Sequence, residues 1–118
     1  MSKTPAADGI YAVYFTGIAG VSFAMFILSN GVLAGGDAGG GVYDGEFALS
    51  RAGDSWEGAV RFEIPVGHST ITGLSATTEP LRLDVPIKLP MEFSNGQIVR
   101  IETQAGPLNV KFVRIRKL

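Results

Sequence analysis

Few side chains in this sequence are suited to chemistry. There is one histidine, His68, followed by Ser69 and Thr70 in a glycine-flanked run, and there is no cysteine. A histidine beside a hydroxyl begins a Ser–His–acid arrangement, in which imidazole takes the proton of the attacking oxygen. The Gly-x-Ser-x-Gly elbow that would expose such a nucleophile is missing, and Ser, Thr and His in a loop serve turns equally well. Zinc needs three or four converging ligands, and the sequence clusters no carboxylates with His68. Asp44 and Glu46 stand two apart on one side of an alternating stretch. Paired carboxylates can share acid–base work, but this alternation reads as a solvated outer face. The run Gly35 to Gly41 has the glycines of a phosphate loop without its Lys or Ser/Thr, and no helix follows. Its glycines read as turn and bulge residues, with Asp37 accepting backbone N–H bonds. No catalytic, cofactor-binding or metal-binding residue is assigned, no cofactor is implied, and the expectation is a protein that is not an enzyme. His68 is the one residue to replace if an activity were found.

The elements that would position any site are short and extended. The chain has 118 residues, which suits one domain: a flexible leader over 1–7 and a single folded unit over 8–118. Hydrophobic residues make up 46% and charged residues 18%, with a net charge of −1. That balance gives no electrostatic grip on a nucleic-acid backbone. The basic end, Arg114 to Lys117, reads as a solvated strand end. The N-terminus has no secretory pattern. The longest apolar stretch, Ile18 to Leu28, is about half of the roughly 20 residues that a membrane helix needs. A soluble, cytoplasmic protein without nucleic-acid or membrane partners is expected.

Alternation predicts strands at Ile10–Thr16, Ala19–Ser29, Val32–Ala34, Val42–Ser50, Trp56–Ile64, Leu81–Leu89, Ile98–Thr103 and Leu108–Arg116. Asn30-Gly31 is the preferred pair of a type I′ hairpin turn, because both central residues need positive φ. Gly35-Gly36-Asp37 is expected to break the third strand. Pro86 lacks an N–H and places its strand at an edge or bulge. In the last strand the apolar phase moves to Val113 and Ile115, which suggests a bulge near Phe112-Val113. Residues 65–80 are the least readable: Thr70-Ile71-Thr72 fits a short strand, and Ser69 fits a helix cap. About eight antiparallel strands and no helix of ten or more residues predict an all-β, up-and-down barrel of lipocalin-like type. Such a barrel can be filled by side chains or hold one small ligand.

Two groups of residues follow from this architecture. Phe23, Tyr43, Phe47, Trp56 and Phe62 are candidates to line the barrel interior around an apolar small ligand, with plain core packing as the alternative. The first two strands are apolar on both sides, which an antiparallel sheet rarely tolerates without cover. Either a helix or loop covers the outer side, or the hairpin is a subunit interface. Tyr14, Ala24, Phe26 and Leu28 are the candidate dimer or partner face.

The ordered set Asp8-Gly9-Ile10-Tyr11, Phe15, Gly20, Asn30-Gly31, Gly35-Gly36-Asp37 and Tyr43-Asp44-Gly45 resembles the GrlR family. These are small bacterial negative regulators of type III secretion genes, with a lipocalin-like barrel. The resemblance covers about a third of the chain, and beyond Gly45 it is one of strand pattern. It implies an eight-stranded, partly closed barrel, a homodimer, and action by binding a protein, a transcriptional regulator, in place of catalysis. In the regulator that names the family, an acidic four-residue run between two strands binds the activator. The comparable turn here, Arg51 to Ser55, has one acid beside an arginine, and no partner-binding residue is carried over.

Overall fold

A computed structural model describes residues 7–69, 74–104 and 106–118. Eight strands follow one another: β1 Gly9–Gly17, β2 Gly20–Ser29, β3 Val32–Asp37, β4 Val42–Leu49, β5 Ser55–Ile64, β6 Leu81–Pro90, β7 Asn95–Thr103 and β8 Gly106–Lys117. All pairings are antiparallel, in the order β6-β5-β4-β3-β2-β1-β8-β7. Each hairpin joins neighbours, and β8 returns to pair with β1, so the sheet curls into a nearly closed up-and-down barrel. This is the fold class that the alternation predicts. Strands β6 and β7 form the two edges of the sheet. They are joined through the turn Met91–Ser94, with no ladder between them among the described residues. Pro86 lies on edge strand β6 and points outward, where its missing N–H costs no central ladder bond.

The turn at Asn30-Gly31 sets the facing of the first half. Asn30 has φ 51° and Gly31 φ 81°, the left-handed geometry of a type I′ turn. A two-residue turn makes Leu28 pair with Leu33, and the same row continues through Gly45 and Val60 to Val85. Residues directly opposite one another share a face, so this whole row points inward.

The row corrects several expectations. Ala24, Phe26 and Leu28 lie inside the barrel and are buried, so of the expected dimer face only Tyr14 is on the outer surface. Phe23 pairs with Tyr14 and lies outside, not on the interior wall. Strand β3 runs on through Gly35 and Gly36 to Asp37, because both glycines keep their partners on β2 and β4. Within β8 no residue is added at Phe112-Val113; the extra residue opposite that pair is on β7. Val113 is an outward residue paired with Ala12, and the irregularities lie between Ile10 and Tyr11 against β8 and between Asn95 and Ile98 on β7. Ala7, expected in a flexible leader, is buried and accepts a hydrogen bond from the Tyr11 hydroxyl at 2.6 Å. Ser69 bridges to Ser75 in place of capping a helix, while Thr70-Ile71-Thr72 lies outside the described residues.

The two ends of the barrel differ. The end that holds the Asn30-Gly31 and Met91–Ser94 turns is plugged by aromatic rings, with Phe93 at 5.5 Å from Tyr11 and 5.1 Å from Phe112 between centroids. Fully burying a side chain such as Phe93 stabilises the fold by about 2–3 kcal/mol. The opposite end holds the segment after β5, where His68 accepts a hydrogen bond from the Ala76 N–H through its carbonyl at 3.0 Å and Ala76 is buried.

Candidate functional site: the barrel interior

Between the aromatic plug and the far end lies a cavity of about 150 Å³. Tyr43, Phe47, Trp56 and Phe62 line it, as do Phe15, Phe26 and Leu28, which the sequence reading does not place there. The missed residues share one signal, the inward row fixed by the hairpin register. The wall is apolar toward the plug, where Leu33, Leu89 and Phe93 contribute, and acquires polar groups only at the other end: Ser22, Asp37, His68, Ser69 and Thr103.

The aromatic wall depends on a glycine. Phe26, Gly35, Tyr43 and Phe62 are register partners in one row across β2 to β5. Gly35 has no side chain, so the Phe26 ring reaches over it to within 4.9 Å of the Tyr43 ring. Tyr43 also stacks on Phe62 at 4.5 Å with 25° between planes, and on Phe15 at 5.9 Å with 5°. Offset stacks of this kind add about 0.5–1.5 kcal/mol per pair beyond burial.

At the polar end, Asp37 is the corner device expected from the glycine run. Its Oδ1 accepts the N–H groups of Gly39 at 3.0 Å and Gly41 at 2.8 Å, and its Oδ2 accepts the Tyr43 hydroxyl at 2.8 Å. Burial, then the charge of Asp37 and the hydrogen bond to it, push the Tyr43 hydroxyl far above the ordinary tyrosine range. Tyr43 therefore stays a neutral donor at any physiological pH. Asp37 is the one residue with a carboxylate on the described cavity wall, and no Lys or Arg is among the described residues that line it. Arg114 faces inward near the plug, yet donates to the Tyr11 hydroxyl at 3.0 and 2.9 Å, and neither residue is on the cavity wall.

The outer surface divides into two halves. On β4 to β6 it is charged: Arg61 reaches Asp44 at 3.1 Å and Glu46 at 2.8 Å, and Arg82 reaches Glu63 at 2.9 Å. Asp44 and Glu46 thus form an exposed ion-pair cluster away from the cavity. On β1, β2 and β3, with Val113 of β8, the surface is apolar, bordered on β8 by the exposed Lys111 and Asn109. Tyr14, Phe23, Met25, Ile27, Val32 and Val113 are each 38–51% exposed around the buried Ala12, whose register partners are Met25 and Val113. His68 is exposed at the barrel end, and among the described residues no group of three or more His, Asp or Glu could hold a metal ion.

No protein-family model matches the chain, and no curated protein matches it.

Proposed function

We propose that this barrel is a non-enzymatic binding protein that carries a small apolar ligand in its interior. The observation that carries the reading is the aromatic cavity of about 150 Å³, polar at one end and closed at the other by Phe93. The apolar part of the wall suits a small hydrocarbon, which needs no hydrogen-bond partner there. Trp56 is the single tryptophan and stands on the cavity wall, so its indole resonance reports occupancy. Titration with toluene is expected to give a saturable shift of that resonance, abolished in Val85→Phe, which fills the wall from β6. A wild-type protein whose indole signal does not respond overturns the reading.

A second reading is favoured by the apolar outer face. Here the chain is a cytoplasmic homodimer that acts on a protein partner, a transcriptional regulator, as the ordered motifs of the GrlR family suggest. The charges on β4 to β6 interrupt the continuous apolar belt that a barrel in a bilayer carries, which supports a protein and not a lipid as the covering surface. No helix of the described residues is long and apolar enough to cross a membrane. The two readings are compatible, since one uses the inside of the barrel and the other the outside.

A further inference from the structure

Resting on the carrier reading, the geometry points to the chemical class of the ligand: an apolar chain with a cationic head, a primary or substituted amine, and not a fatty acid. Three observations support this. Among the described residues the cavity wall carries one carboxylate, that of Asp37, and no Lys or Arg to meet an anion; its other ionisable groups are His68 and Tyr43. A carboxylate head would sit beside a like charge within a low-dielectric wall, where both repulsion and desolvation oppose it.

The second observation is the hydrogen-bond state of Asp37. It accepts three hydrogen bonds, two at Oδ1 and one at Oδ2. A carboxylate offers about four acceptor sites, so one remains, on the oxygen already shared with Tyr43. The side chain is half-buried at the polar end of the cavity, so a donor arriving on a chain lodged in the barrel meets it directly. The third is the ring stack behind it. Phe15 and Phe62, the rings on either side of Tyr43, both line the cavity, and aromatic faces attract cations and repel anions. Ser22 on the same wall adds a hydroxyl for a second contact. The position of Asp37 follows from its place on β3, where Leu33, Gly35 and Asp37 alternate inward.

The test uses octylamine, octanol and octanoate at pH 8, where an alkylamine is a cation and a carboxylic acid an anion. The shift of the Trp56 indole resonance is read for wild type, Asp37→Asn and Val85→Phe. Octylamine is expected to bind about tenfold more tightly than octanoate, with octanol between them. Asn keeps an oxygen for the Gly39 and Gly41 N–H groups, so Asp37→Asn is expected to retain octanol binding and lose the amine preference. Octanoate binding as tightly as octylamine in the wild type overturns the inference while leaving the carrier reading standing, and this comparison needs no variant to fold. An amine preference that persists in Asp37→Asn removes Asp37 from the head-group role. If none of the three shifts the Trp56 indole resonance in a manner that Val85→Phe prevents, the carrier reading itself fails.

Discussion

The ring of Phe26 occupies the space that a side chain on Gly35 would need, across the ladder from β2 to β3. A Cβ at Gly35 would also meet the Met25 carbonyl oxygen, which is backbone and cannot swing away. Gly35→Ala therefore forces either the Phe26 ring or the β2–β3 ladder to shift. Overpacking of this kind costs about 1–3 kcal/mol. Urea denaturation is expected to show that loss, together with a weaker Trp56 response to toluene, because Phe26 lines the same cavity. Wild-type stability in Gly35→Ala would mean that the ring is not held there.

A second test concerns the plugged end. Tyr11 is fully buried, and its hydroxyl donates to the Ala7 carbonyl while accepting from Arg114. Tyr11→Phe keeps the ring packing against Phe93 and Phe112 and removes only the hydroxyl. The Ala7 carbonyl then loses this donor at a buried position, which costs about 1–3 kcal/mol. The measurement is the urea midpoint at unchanged slope. Limited proteolysis should also cut earlier near Ala7 in the variant, since the contact that holds that residue is gone.

How much of this was legible in the sequence depended on register. The strand pattern alone was enough for eight antiparallel strands, the edge position of Pro86, and the inward facing of Tyr43, Phe47, Trp56 and Phe62. The facing of β2 was not legible from composition, because Val21, Phe23, Met25 and Ile27 on one side are as apolar as Ala24, Phe26 and Leu28 on the other. The information was present in the turn. Asn30-Gly31 pairs Leu28 with Leu33, and Leu33 meets Gly45 between the inward Tyr43 and Phe47. Following that chain of pairs places Phe26 inside and Phe23 outside. The glycine run marks Asp37 as a turn residue and carries no sign that it is also a wall residue. The double glycine suggested an end to β3, whereas glycine in a ladder keeps its backbone bonds and only lacks a side chain.

Alkaline pH gives a third prediction. Burial, with Asp37 beside it, holds the folded-state Tyr43 hydroxyl well above the ordinary value near 10. In the unfolded chain Tyr43 ionises as pH passes about 10, while in the folded barrel it stays protonated. The folded state then binds more protons than the unfolded one, so stability is fully present below pH 10 and falls as pH rises above it. Between pH 10 and 11 the wild type is expected to lose about 1 kcal/mol more than Tyr43→Phe. Denaturant titrations at the two pH values provide the comparison. Equal losses in both proteins would show that Tyr43 ionises freely in the folded barrel.

The apolar outer face yields the last prediction, and area argues for a second copy of the chain as its cover. The face spans the neighbouring strands β1, β2 and β3 with Val113 of β8, and extends to Val21, which is 77% exposed. Side chains of this kind present about 150–250 Å² each when bare, so the exposed fractions together amount to several hundred Å². That approaches what one partner contributes to a standard interface, about 800 Å², and is at the upper end of the apolar patches that monomers leave bare, about 300–600 Å². Phe23 lies on this face, packed against the Tyr14 ring with centroids 5.2 Å apart and planes tilted by 56°. Phe23→Asp puts a charge there without touching the interior, because Phe23 is 41% exposed and no part of the cavity wall. Sedimentation equilibrium is expected to give a dimer for the wild type and a monomer for Phe23→Asp, with the far-ultraviolet spectrum and the Trp56 response unchanged. A wild type that sediments as a monomer at high protein concentration removes the second copy as the occupant of this face.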